Sequence, residues 1–268
     1  MKHIIIILLI FSSSCKAQFI SGFSSQLELS KQTNPSIVTD AYCNLISAST
    51  SQRQAFHRAT QALEDNNIYN KFFAINVYKF FSNGRCPNLI IPLLYNGAFA
   101  DSITSGSVTT NSSGIVVGNG DTLSTYWIND LAKNAPYCGF GWYVGSSVEK
   151  QILSSTSPFR VFPRDGGTTA YTNIWNNSPG VVVPAPPSGF NYAQRLNIDT
   201  VQTWQGTTKY SVLSTVSASA PLNNYCQIIG NNSTDFTLKI SFLVEALTDS
   251  EVLVFKQILD NLASDLGL

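Results

Sequence analysis

The sequence predicts a mainly β protein: an antiparallel two-sheet sandwich with a helix near the N-terminus and an amphipathic helix at the C-terminus. Three observations predict it. Phe236, Leu238, Ile240, Phe242 and Val244 alternate with Thr237, Lys239 and Ser241, so a pleated strand puts each set on one face. From Phe72 to Ile229, short apolar runs are broken repeatedly by Gly, Asn, Ser and Pro, the turn-rich pattern of sandwiches and barrels. After Thr248 the period changes, and Val252, Phe255, Leu259, Leu262 and Leu266 recur at helical spacing.

The first 17 residues read as a secretory signal. Lys2 and His3 precede the apolar run Ile4–Phe11, and Ser12–Ala17 supplies small and polar residues. Eight apolar residues span about 12 Å as a helix, against the ~30 Å of a bilayer core. Two processing routes fit: cleavage after Ala17, or lipid attachment at Cys15 with Ser14 as the small residue before it. The expected location is therefore secreted or cell-surface, with a lipid-anchored lipoprotein as the alternative. No other stretch is long enough to span a membrane.

Residues 18–50 show little periodicity and read as a loosely ordered lead-in. The domain proper is expected over 51–268. Thr50 or Ser51 caps its first helix, with Ser51 and Gln54 resembling a capping box. Ala55, Ala59, Ala62 and Leu63 form the helix's apolar stripe, and Asn66-Asn67 stops it. Strands follow at Phe73–Tyr78, around Ile90–Leu94, at Ile115–Val117 before a Gly118–Asp121 turn, and at Ser124–Asn129. Cys138, Phe140, Trp142 and Val144 share one strand face; Gly139, Gly141 and Gly145 occupy the other. Weaker strands read near 159–162, 171–175, 193–198, 210–215 and 226–229. Val183–Pro187 reads as a stiff extended loop, because proline fixes φ and cannot feed a central ladder. Thr248–Glu251 is a capping box, its acids at the positive end of the last helix's dipole.

Composition excludes some functions. Hydrophobic residues make up 44% of the 268, enough for a large core, while charged residues make up only 12%. Sixteen basic side chains balance sixteen acidic ones, leaving none of the basic excess that nucleic-acid binding requires. Outside the signal stand Cys43, Cys86, Cys138 and Cys226. An even number in an exported chain suggests two disulfides, with three possible connectivities. No pair has the C-x-x-C spacing of a zinc or thioredoxin-like site.

Four segments carry a family resemblance: Ala59–Phe72, where a helix runs into a strand; Ser112–Ile115 with Gly118–Gly120 and Ser124–Tyr126; Arg195–Ile198; and Ile228–Asn232 leading through the alternating strand to Ala246–Glu251 and the last helix. Their order resembles the concanavalin A-like, or laminin-G-like, jelly-roll domains of bacteriophage tail or structural proteins and secreted bacterial proteins. The match covers roughly residues 51–268. Here Leu243-Val244-Glu245 replaces the small, glycine-rich link usual before the cap. The resemblance implies carbohydrate or protein binding and supplies no fixed catalytic set.

The residues support the same expectation. His57 is the one histidine outside the signal, and there is no G-x-S-x-G elbow, so a hydrolytic triad is not indicated. The Glu-x-Asp-x-x-Glu strand motif of concanavalin-like glycosidases is missing. Glu149 is isolated; Glu245, Asp249 and Glu251 belong to a strand end and a helix cap. Sugar binding needs an aromatic platform beside amides, because a pyranose has an apolar face and a hydroxyl rim. Tyr171, Trp175, Asn176 and Asn177 form the first such group, and Trp204 between Gln202 and Gln205 the second. No cofactor is expected; calcium is the one candidate, on Asn119 and Asp121 with Asp101 nearby. The function expected is an exported, non-enzymatic module that binds glycan or a surface protein. A structural assembly module of phage-like origin and a glycoside hydrolase or polysaccharide lyase are the alternatives.

Overall fold

The computed structural model describes residues 34–82, 85–90, 101–105, 108–112, 114–117, 122–128, 138–144, 153–154, 159–165, 169–174, 181–184, 189–197, 200–213, 225–229 and 236–268. It is mainly antiparallel β structure with a few helices. Two helices lead: α1 (Pro35–Leu45) and α2 (Thr50–Asp65). α1 lies inside the segment expected to be loosely ordered. Its start has a local cause: Pro35 occupies the first turn, and the Asn34 side chain accepts from the Ser36 N–H at 2.8 Å. α2 begins one residue earlier than a Thr50 cap would place it, and two earlier than a Ser51 cap. Ser49, not Ser51, is the cap, and Gln52 returns the bond to the Ser49 N–H at 2.9 Å.

The strands form two sheets. In the first the order is β14 (Thr208–Leu213), β13 (Thr200–Gln205), β12 (Gly189–Asn197), β7 (Cys138–Val144), β16 (Phe236–Glu245), β5 (Gly114–Val117) and β4 (Thr109–Asn111). β1 (Phe72–Val77) shares the second edge of β16 with β5: β5 pairs at residues 236–238 and β1 at 240–244. The second sheet runs β11 (Val181–Pro184), β10 (Thr169–Ile174), β9 (Phe159–Asp165), β8 (Leu153–Ser154), β15 (Tyr225–Ile229), β6 (Thr122–Ile128), β3 (Asp101–Ser105) and β2 (Arg85–Cys86). The Val183-Pro184 segment, expected to be loop, contributes to β11. It is an edge strand, where a missing N–H is tolerated. The strand expected around Ile90–Leu94 falls largely outside the described residues. β13 and β14 meet in a two-residue hairpin, where Gly206 takes φ 58° between paired Gln205 and Thr208.

The last helix, α3 (Asp249–Leu266), is where the periodicity put it, capped by Thr248 and Glu251. It packs on one face of the first sheet. Phe255 stands at the centre, with ring centroids 4.7 Å from Phe242, 4.6 Å from Phe72 and 6.0 Å from Phe190. The glycines of β7 lie on this face. A Cβ at Gly139 would sit 2.4 Å from the Tyr192 hydroxyl, and one at Gly141 would sit 2.2 Å from the Asn191 carbonyl and 2.4 Å from the Phe242 ring. Rings from β12 and β16 therefore lie over β7 where it has no side chains, and both sides of β7 are covered. α3 is pinned at its rim by ion pairs Lys71–Glu251 (2.7 Å) and Lys209–Asp249. Arg58 on α2 reaches Asp265 at 2.8 Å, tying the helices together.

Candidate functional site

Polar chemistry on the first sheet divides between its two faces. On the α3 face Gln194 of β12 is fully enclosed. Its amide oxygen accepts from the Leu247 N–H at 2.7 Å and from the Tyr192 hydroxyl at 2.8 Å. Its amide nitrogen donates to the Leu247 carbonyl at 2.9 Å and to Gln202 at 2.8 Å. Gln194 thus behaves like a length of backbone, pairing with the link between β16 and α3. Every contact is internal, so this network anchors the helix.

The opposite face carries a polar row. The register aligns Asn76, Ser241, Trp142, Asn191 and Gln205 across β1, β16, β7, β12 and β13. The first four are 1%, 2%, 3% and 3% exposed. Ser241 exchanges a 2.9 Å bond with the Tyr78 hydroxyl, Asn76 donates to the Cys86 carbonyl at 3.1 Å, and Asn191 donates to the Gly189 carbonyl at 3.0 Å. Asn76 Oδ1, Trp142 Nε1 and the Thr203 hydroxyl, one row along, have no partner. Fully buried Arg195 lies two rows from Trp142 on the same face. Sequence reasoning missed this row, because Ser241 belongs to the polar half of an alternating strand, and alternation alone does not show that this half is enclosed. The sheet buries Ser241 and Leu243 of that half, while Thr237, Lys239 and Glu245 stay partly exposed.

The predicted site residues fare unevenly. Tyr171 sits mid-strand in β10, opposite Val182 and Phe162. Trp175, Asn176 and Asn177 follow β10 directly and lie outside the described residues, as do Asn119 and Asp121. Asp101 opens β3, its backbone opposite Cys86. Trp204 is 3% exposed, and Lys209 Nζ stands 5.8 Å from its ring centroid. That burial corrects the expectation of an open platform at Trp204: the ring shares the α3 face with Tyr192 and packs into the core.

The cysteine expectation is also corrected in part. Cys43 and Cys86 are both buried thiols in this structure, with no disulfide at either. Burial pushes the Cys43 thiol up to about 11, with Arg53 opposing and Asp40 adding to it. Burial, then the neighbouring Cys86 and Cys43, drives the Tyr42 hydroxyl well above its ordinary value. Cys138 lies on β7 and Cys226 on β15, in different sheets; Cys15 lies outside the described residues.

The helical layer holds the remaining candidates. His57 Nε2 meets Asp40 of α1 at 2.9 Å, a solvent-exposed contact that links α1 and α2. A groove of about 400 Å³ runs past it, and a second of about 290 Å³ lies between α2 and α3, floored by Ala55, Ala59 and Ala62. Asp40, Asp249, Glu251, Asp260 and Asp265 each pair with a basic side chain. Asp40, Asp249, Glu251 and Asp265 tie helices to neighbouring elements, and Asp260 pairs within α3. Among the described residues no group of three or more His, Cys, Asp or Glu side chains is placed to hold a metal.

No family model matches the chain, and no curated protein sequence does. Solved structures do match in fold. The botulinum neurotoxin serotype D binding domain aligns with TM-score 0.53 and 8% identity over 72% of this chain and 53% of that one. The likeness is one of mainly antiparallel β fold, consistent with a β-sandwich. The type G receptor-binding domain gives TM-score 0.51 and 11% identity, covering 70% and 51%. A structure showing that cell entry of botulinum neurotoxin type C depends on interaction with two ganglioside molecules gives 0.50 and 7%, covering 72% and 53%. The chain thus spans about half the length of these structures, and at such identity the likeness is one of fold. No helix among the described residues is long and apolar enough to cross a membrane.

Proposed function

We propose that this protein is an exported, non-enzymatic module on a concanavalin A-like jelly roll that recognises a carbohydrate or a surface partner. The observation that carries the reading is the architecture: two antiparallel sheets, one backed by a helix, in the fold shared with the binding domains above. Cell entry of the type C toxin is dependent upon interaction with two ganglioside molecules, and a further structural neighbour, the binding domain of botulinum neurotoxin DC, was solved in complex with rat synaptotagmin II. The apolar run Ile4–Phe11 and its small-residue tail support export. The ion-paired carboxylates of the helical layer support a role in binding over catalysis.

The platform assigned is Tyr171, within β10, with Trp175, Asn176 and Asn177, which follow that strand in sequence. An indole stacks on the apolar face of a pyranose while the amides address its hydroxyls. With Trp204 enclosed, this group is the remaining platform. A glycan array on the purified mature protein tests the reading. Trp175→Ala is expected to weaken the strongest glycan signal roughly tenfold, equivalent to ~1.4 kcal/mol, with an unchanged melting temperature. Undiminished binding would reject the platform. Adding EDTA during the array tests the calcium candidate at Asn119 and Asp121.

A further inference from the structure

We propose that the polar row on the face of the first sheet away from α3 is an internal binding site for a chain of uncharged hydroxyl groups. Those hydroxyls come from ordered water, because the row is as enclosed as Trp204 and offers a sugar no open face; the inference does not rest on the function proposed above. The argument begins with three orphans on one face: an indole N–H at Trp142, an amide oxygen at Asn76 and a hydroxyl at Thr203. All three residues are more than nine-tenths buried. Native proteins seldom leave such groups unpaired, because each has lost its water without replacement. Ser241 and Asn191, which flank Trp142 in the row, bring further polar atoms to the same surface.

The chemistry of the orphans selects the ligand. One is a donor only, one an acceptor only, and one can be either. A cation would meet the indole N–H, and an anion would meet the amide oxygen. A hydroxyl group satisfies both, since it donates and accepts. The spread selects a chain over a single group. The row crosses five strands, which at about 4.8 Å per strand spans roughly 19 Å. One water has two to four bonds to offer and cannot reach both ends.

Thr203→Val tests this, because it removes a hydroxyl while keeping shape. In a dry sheet face the variant is relieved of an orphan, and the melting temperature rises. In a hydrated row the chain of waters is broken, and the melting temperature falls by roughly 2–4 °C. That fall supports the proposal, and an unchanged or raised melting temperature overturns it. A lowered melting temperature in a protein that binds no glycan leaves the site standing and rejects the proposed function alone. A crystal structure of the full chain supplies the second measurement: a file of waters bonded to Trp142 Nε1 and Asn76 Oδ1 is expected, and dry density there is the contrary result.

Discussion

Gln194 shows how a single polar side chain organises a hydrophobic interior. It lies among Tyr192, Gln202 and Leu247, and four hydrogen bonds of 2.7–2.9 Å use its capacity. Burying an amide is tolerated only when its groups are paired, and breaking the set strands the partners as well. Gln194→Leu would leave the Leu247 N–H and carbonyl, the Tyr192 hydroxyl and Gln202 without this partner. Each stranded group costs about 1–3 kcal/mol, so the variant should lose at least ~3 kcal/mol in urea unfolding. A loss below ~1 kcal/mol would show that the link after β16 is held by packing alone. The glycines of β7 act by absence. Their missing side chains let Tyr192 and Phe242 lie against the strand, an arrangement that a methyl group at either position would block.

At the level of elements, α3 is a stopper on the first sheet. Phe255 fills the space between Phe72, Phe190 and Phe242, and the buried stripe of the helix includes all five residues read from its periodicity. Its N-terminus is tuned electrostatically. Burial raises the Glu251 carboxyl, but the Lys71 ammonium and the Thr248 N–H and hydroxyl outweigh it, so the group ends below its ordinary value of 4.5. A carboxyl depressed in the folded state stabilises the fold above its unfolded pKa, and that contribution is lost as pH falls through the folded value. The wild type should therefore lose stability below about pH 4.5. In Glu251→Gln the part of the acid limb due to this group should flatten. Thermal melts from pH 7 to pH 3 read it, and identical slopes in both proteins would contradict the assignment.

For the whole molecule, helix and sheet depend on each other. Deleting residues 249–268 removes Phe255 and the partner surface of Phe242, Phe190 and Tyr192. A contiguous apolar surface of this kind in water drives association. The truncated chain is expected to lose its cooperative melt and to aggregate; a monomer with an intact melt would show that the sheets are self-sufficient. Much of this organisation was legible in local signals. The capping box at Thr248, the alternation of 236–244 and the stop at Asn66 depend on residues within a few positions of one another. The site was far less legible. Trp204 reads locally as an indole between amides, yet its neighbours Tyr192 and Lys209 arrive from β12 and β14. α1 was missed because its signal, Asn34-Pro35, is short and lies in an aperiodic stretch.

The sequence by itself determined the predominance of antiparallel strands, the last helix and its buried stripe, and the polar, weakly charged surface, since periodicity and composition are properties of the chain. Only the tertiary structure decided that both faces of the first sheet are covered, that Ser241, Asn191 and Trp142 align in one enclosed row, and that Cys43 and Cys86 are buried thiols. The reason is physical. A strand's pattern says which residues share a face, but whether that face meets water depends on what the rest of the chain lays over it.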